Sequence, residues 1–260
     1  MSTAAQAVGT AAHRLWWWAA DYAFVLDSWL RSARRHPRPV PGVPINERTD
    51  RALPGVPVLL LPGIYESWRF MEPLTRRLHR AGHPVLVVPL GLNSGSVAAA
   101  ARKVRWHLRA HHPGMGVVIV AHSKGGLIGK QLMLDLQRLH RLTDGGGTPA
   151  QRTTAAVHGM VSINTPYAGS AYASLLPLAH LRALAPGALA HLSSQVSVDE
   201  RIIAIRASWD PHIPGAGDLD GAQNIEVRAP GHFSIIGDGH TADRVCAGVA
   251  ELGEVEPTLG

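Results

Sequence analysis

From residue 56 onward, short apolar runs alternate with helical stretches, and that rhythm leaves few architectures open. "VPVLLLPG" reads as a buried strand and "SWRFMEPLTRRLHRAG" as a helix ended by glycine. "PVLVVPL", "GVVIVAH", "VHGMVSINTP", "ERIIAIRASWD" and "NIEVRAPG" are further apolar runs, and "SVAAAARKVRWHLRAHH" and "SKGGLIGKQLMLDLQRLHRL" further helices. Strands this apolar have no face to offer water, so they belong in a sheet covered on both sides. The expected fold is α/β: a mostly parallel sheet of about six strands with helices on both faces. It occupies residues 56–260, with an N-terminal helix and a Pro/Arg-rich linker over 1–55.

The N-terminal segment is of another kind. Residues 1–12 are small and polar and are expected to fray. "HRLWWWAADYAFVLDSWLRS", residues 13–32, holds four of the seven tryptophans. On a helical wheel Leu15, Trp18, Tyr22, Val25, Leu26, Trp29 and Leu30 share an apolar arc. Arg14, Asp21, Ser28 and Arg31 gather opposite, with Trp17 and Phe24 among them. Asp21 and Asp27 interrupt the stretch too early for a bilayer span, which needs ~20 apolar residues. It also lacks the pattern of a signal peptide, so a cytoplasmic location is expected. Two readings stand: a helix packed on the domain, or an interfacial helix. In the second, residues 13–38 touch the inner face of an anionic membrane, with tryptophans at headgroup depth and Arg31, Arg34, Arg35 and Arg38 on the lipid.

Composition removes several functions. The formal charge of +6 comes almost wholly from arginine, since lysine occurs only at 103, 124 and 130. No nucleic-acid motif and no interleaving of basic with stacking residues accompanies it, so no nucleic-acid partner is expected. Cys246 is the only cysteine, which excludes an internal disulfide. The 15 histidines form no metal-ligand spacing, and neither a metal nor another cofactor is expected.

The chemistry is signalled by "VVIVAHSKGG", residues 117–126: a buried strand runs into Ser123 and a helix starts at once. A turn this tight needs small neighbours, and Ala121 and Gly125 stand two residues either side of the serine, with Gly126 beyond. This is a nucleophile-elbow pattern with alanine for the first glycine. An ordinary helix-capping serine is the alternative, and the strand before and helix after favour the elbow.

Other stretches carry a resemblance. "LLLPGIYES" is similar to an oxyanion loop, with Pro62-Gly63-Ile64 where His-Gly-X is common. "INTPYAGS", residues 163–170, looks like a Thr-Pro-His-x-Gly-Ser segment with Tyr167 in the histidine's place. "SWDPHIP" matches an Asp-x-x-(Val/Ile)-Pro turn, and "APGHFSII" a final histidine loop. With the elbow, and in this order, they resemble the α/β-hydrolase family, in the bacterial lipase and esterase branch, over residues 56 to about 252. The resemblance implies a nucleophile at Ser123, a base at His232 and an orienting acid at Asp210. It implies oxyanion donors in the backbone amides of Ile64 and Lys124, and substrate contacts at Tyr65 and Tyr167. The Lys124 side chain is expected to be solvated or lipid-facing. His122 is expected to be packed or hydrogen-bonded to a neighbour, His240 to cap a helix, and Asp218 and Asp220 to form turns.

"AYASLLPLAHLRALAPGALAHLSSQVS", residues 171–197, repeats leucine at helical spacing, with Pro177 expected to open a helix and Pro186-Gly187 to close it. It is either a core-facing helix or a small cap whose Leu178 and Leu181 meet an acyl chain. The expected activity is hydrolysis of lipid-like carboxylic esters. An acyltransferase with the same triad, or an idle lipid- or protein-binding module, is the alternative.

Overall fold

The computed structural model describes residues 2–34, 53–143, 156–170, 184–213 and 217–254, with side chains of the first helix described over 13–31. Strands β1 (Val58–Leu61), β2 (Val85–Val87), β3 (Gly116–His122), β4 (Ala156–Ile163), β5 (Ile202–Trp209) and β6 (Gln223–Pro230) form one sheet in the order β2-β1-β3-β4-β5-β6. Every pairing is parallel. The six apolar runs thus become the six strands, and β1 and β3 are buried almost throughout because their Val, Ile and Leu side chains alternate between two covered faces.

One face carries α3 (Val97–His111), α4 (Lys124–Thr143) and α5 (Pro186–Ser193), whose Val104, Leu127 and Leu192 close over Leu59, Leu61 and Ile119. The other carries α2 (Glu72–Arg80) and α6 (Gly239–Glu254), whose Leu74, Val245 and Val249 cover Leu60, Val118 and Val161. Local signals set the helix ends. Ser96 caps α3 by accepting from Ala99 N at 3.2 Å, and α2 opens with proline in its first turn and closes on Arg77 and Arg80.

Several expectations meet the structure here. The first helix, α1 (Ser2–Arg34), starts eleven residues before residue 13, so 2–12 are helical rather than frayed. Pro186 opens α5, as its fixed φ and missing N–H favour, while the helix it was expected to close falls outside the described residues. Leu184, Leu189 and Leu192 lie in the core, so the described part of 171–197 packs as core, whereas Leu178 and Leu181 lie outside the described residues. His240 is not the cap of α6: Asp238 is, accepting from Thr241 N at 2.7 Å and from its hydroxyl.

α1 docks by the side that the helical wheel marks as polar. Asp21 and Ser28 are buried, and Phe24 packs edge-on to Phe70 at 5.5 Å. Leu15, Trp16, Trp18, Leu26 and Trp29 face outward. Among the described residues no helix is long and apolar enough to cross a membrane.

Candidate active site

The sheet order reverses direction between β1 and β3, and the loops leaving their carboxyl ends flank the crevice where open α/β sheets hold ligands. Ser123 sits there, immediately after β3, with φ +51°. A left-handed conformation is costly for a residue with a side chain, and the surroundings hold it. Ser123 N donates to Ile163 O at 2.9 Å, and Ser123 O accepts from Thr165 Oγ1 and Gly126 N at 3.1 Å each. Both following glycines are required: a Cβ on Gly125 would overlap the Leu61 carbonyl, and one on Gly126 the Thr165 hydroxyl.

Asp210 follows β5 and His232 follows β6, so three strand ends converge. His232 Nδ1 lies 2.7 Å from Asp210 Oδ2, and His232 Nε2 lies 3.0 Å from Ser123 Oγ. A carboxylate only accepts, so Nδ1 carries the proton and Nε2 is left to accept from the serine hydroxyl. Asp210 Oδ1 takes the amides of His212 at 2.7 Å and Ile213 at 3.2 Å. Burial alone would raise the Asp210 pKa, but the His232 imidazole and these donors outweigh it and hold the carboxyl below its ordinary value. Gly231 N donates to Trp209 O at 2.8 Å, tying the acid loop to the histidine loop.

The loop after β1, expected to serve as the oxyanion loop, is held by groups that the sequence did not advertise. Glu66 Oε2 accepts from Gly63 N at 2.7 Å, and Tyr65 N donates to Leu92 O at 2.8 Å. Ile64 lies between these two tethered amides, and Lys124 is the first residue of α4, where a helix leaves its N–H groups open. Asn93, itself at φ +50°, donates to Pro62 O at 2.9 Å and Gly63 O at 3.2 Å.

The Lys124 side chain corrects an expectation. It is fully buried, and Nζ donates to Asn93 O at 2.6 Å and Gly95 O at 2.5 Å, which steadies the loop that Asn93 fastens. Burial pulls its pKa down to about 8. Tyr167, expected at the substrate, is also buried: its hydroxyl donates to Ser162 Oγ at 2.7 Å and its ring lies in the core, because the loop after β4 turns back under α5. Tyr65 is 40% exposed at φ +60° beside the oxyanion loop.

His122 is hydrogen-bonded, as expected, but with unexpected reach. Nδ1 is 2.8 Å from Glu66 Oε2, and Nε2 is 2.9 Å from His232 O. Both nitrogens face acceptors, so the ring carries both protons. Burial opposes that charge, yet the Glu66 carboxylate prevails and raises the His122 pKa. A buried imidazolium–carboxylate pair therefore joins the oxyanion loop to the histidine loop. Asn164, at φ +45° after β4, adds Nδ2 contacts to Gly231 O at 3.0 Å and His232 O at 3.2 Å. His212 packs beside His232 with ring centroids 5.0 Å apart, and burial with that neighbour lowers its pKa to about 4.

The most distant contribution comes from α1. Asp21 is fully buried; Oδ2 accepts from His232 N at 3.0 Å, and Oδ1 from Phe233 N at 2.8 Å, Ser234 N at 2.7 Å and Ser234 Oγ at 2.9 Å. Its only trace in the sequence is two aromatics, Trp17 and Phe24, on an otherwise polar helix face.

No protein-family model matches the sequence, and a sequence search of curated proteins finds no match. Solved structures do match. RedJ with a PEG molecule bound in its active site superimposes with a TM-score of 0.52 at 18% identity, covering 85% of this chain and 98% of that one. The RedJ thioesterase from the prodiginine biosynthetic pathway in Streptomyces coelicolor gives 0.50 at 15%, covering 84% and 96%. An extracellular α/β-hydrolase from a Paenibacillus species gives 0.49 at 12%, covering 77% and 100%. With six parallel strands and helices on both faces, this chain has the α/β-hydrolase fold.

Proposed function

We propose that the protein is a serine hydrolase that cleaves carboxylic esters with a lipid-like acid or alcohol part. The observation that carries this is the continuous hydrogen-bonded chain Ser123–His232–Asp210, with the serine held on a left-handed elbow. Ser123 Oγ attacks the carbonyl carbon as its proton passes to His232 Nε2. Asp210 keeps the imidazole in the useful tautomer and stabilises the imidazolium. The tetrahedral oxyanion is met by the amides of Ile64 and Lys124. Collapse breaks the ester C–O bond, and the departing alcohol takes the proton from His232. Water then gives a proton to His232 and attacks the acyl-enzyme; the acid leaves and Ser123 regains its proton.

RedJ, similar in fold, is described as a thioesterase. Thioesters therefore belong beside esters in the substrate series, since the same attack serves either leaving group. The test is labelling by a fluorophosphonate probe, with Ser123→Ala as control, followed by hydrolysis of nitrophenyl esters of increasing chain length and of acyl thioesters. Expected are labelling of wild type alone and rates that rise with chain length. Equal labelling of the Ser123→Ala protein, or turnover by it, would refute the mechanism. Ester product appearing only when an alcohol is added would make the protein an acyltransferase.

A further inference from the structure

α1 is built inside out. Its inner side, with Asp21, Phe24 and Ser28, meets the domain, while Leu15, Trp16 and Trp29 on the outer side are 70%, 69% and 59% exposed. Trp18 and Leu26 extend the same outer surface. A contiguous apolar patch of this kind marks an interaction site. Its composition selects the partner. Tryptophan is an apolar ring with one polar atom, which suits the headgroup boundary of a bilayer. Arg14 and Arg31 are exposed on the same helix, Arg31 paired with Asp27 at 2.8 Å, and the sequence continues with Arg34, Arg35 and Arg38, a basic composition that suits an anionic surface.

We propose that α1 seats the protein in the headgroup region of an anionic bilayer, lying in its plane. No described helix is suited to cross, which leaves the in-plane mode. The seat lies alongside the candidate site: the Tyr22 ring is 5.8 Å from His212 and 6.0 Å from Phe233, and Trp17 is 5.8 Å from Trp209. The seat stands apart from the hydrolase reading, whereas its use, bringing a lipid ester to Ser123, rests on that reading.

The test is sedimentation of the full chain with vesicles of phosphatidylcholine and phosphatidylglycerol. Co-pelleting is expected at low salt, weakening roughly tenfold as salt rises from about 0.05 to about 0.5 M. Trp16→Ser with Trp29→Ser should weaken it roughly tenfold or more, with the thermal midpoint and short-ester turnover unchanged. Pelleting at background level, or insensitive to the tryptophan pair, would overturn the proposal. A concentration-dependent dimer that the same pair abolishes would assign the face to a second copy of the chain instead.

Asp21 carries a second inference by itself. Four donors of the His232 loop converge on one buried carboxylate from another part of the chain. We infer that Asp21 is a positioning residue for His232, acting through the loop backbone. Asp21→Asn keeps the shape but turns one acceptor into a donor facing donors. On a soluble short ester, kcat should fall roughly tenfold to a hundredfold with KM unchanged, and phosphonate labelling should slow in step. Vesicle binding should persist. Wild-type labelling matched by the variant would sink this inference, as would a lowered midpoint with normal kcat below it. A wild type that never labels would instead count against the hydrolase reading.

Discussion

Glu66→Gln tests whether the buried pair beneath the site is a true ion pair. The carboxylate serves two donors at once, Gly63 N at 2.7 Å and His122 Nδ1 at 2.8 Å. Glutamine has one oxygen, so in a site 5% exposed its NH2 group faces His122 Nδ1 as donor against donor unless that ring gives up a proton. One unsatisfied buried donor costs about 1–3 kcal/mol. Removing one partner of a buried pair costs about 3–5 kcal/mol. With size retained and a neutral His122 able to accept from the NH2 group, a loss of about 1–3 kcal/mol is expected, or roughly 2–12 °C in thermal midpoint for a domain of this size. The pH dependence gives a second readout. Burial pushes the His122 pKa down, but the Glu66 carboxylate outweighs burial and raises it above its ordinary value. Such a group contributes stability that is fully present below its unfolded-state pKa and is lost as pH rises through the folded-state pKa. Wild type should therefore lose stability across that window. In Glu66→Gln only the His232 carbonyl and the Asp210 charge still oppose burial, so His122 should be neutral when folded and the alkaline loss should shrink. Calorimetry across pH decides it: an unchanged midpoint with an unchanged alkaline slope would refute the reasoning.

Further outcomes follow from single contacts. Asp210→Asn should lower kcat about 10⁴-fold while the fold persists, because the imidazole loses the acceptor that fixes its tautomer, as steady-state kinetics would show. Gly126→Ala should cost about 1–3 kcal/mol through overpacking against Thr165, and Thr165→Ser, which removes the methyl but keeps the hydroxyl, should not restore it, since the overlap is with Oγ1; chemical denaturation of both proteins checks this. Leu189→Asp should lower the thermal midpoint and slow short and long esters alike, because Leu189 belongs to the core; loss confined to long chains would make α5 part of a cap.

The sheet was legible because its signal is local: Val, Ile and Leu runs bounded by proline and glycine give strands whichever partner they find. The elbow was legible for the same reason, since Ser123 and the glycines that clear Leu61 and Thr165 lie within four residues. Asp210 and His232 were found through resemblance of short loops, not through any property of an Asp or His alone. What stayed hidden was the set of supports. Lys124 looked like an ordinary surface cation, and only the folded loop supplies the Asn93 and Gly95 carbonyls that bury it. Glu66 is one acid among many until His122, 56 residues later, arrives at its oxygens. On α1 the hydrophobic arc pointed to the wrong side for docking, because a helix wheel weighs apolar area and cannot foresee four backbone and hydroxyl donors waiting for one carboxylate.

The length of chain between Asp21 and the loop it grips, 211 residues to His232, bears on the order in which the molecule becomes competent. During synthesis α1 is made before every strand of the sheet, yet the His232-loop donors to its carboxylate do not exist until β6 and the turn after it have been made. Contacts of such separation form late, since the intervening chain must already be compact before closure is favoured. The serine elbow takes its supports from Leu61, Ile163 and Thr165, all of them made before β6, so it can take shape before the histidine reaches it. A nascent chain therefore carries Ser123 before His232 is seated beside it, and the proposed hydrolysis would reach its full rate only once α1 and the turn after β6 are joined.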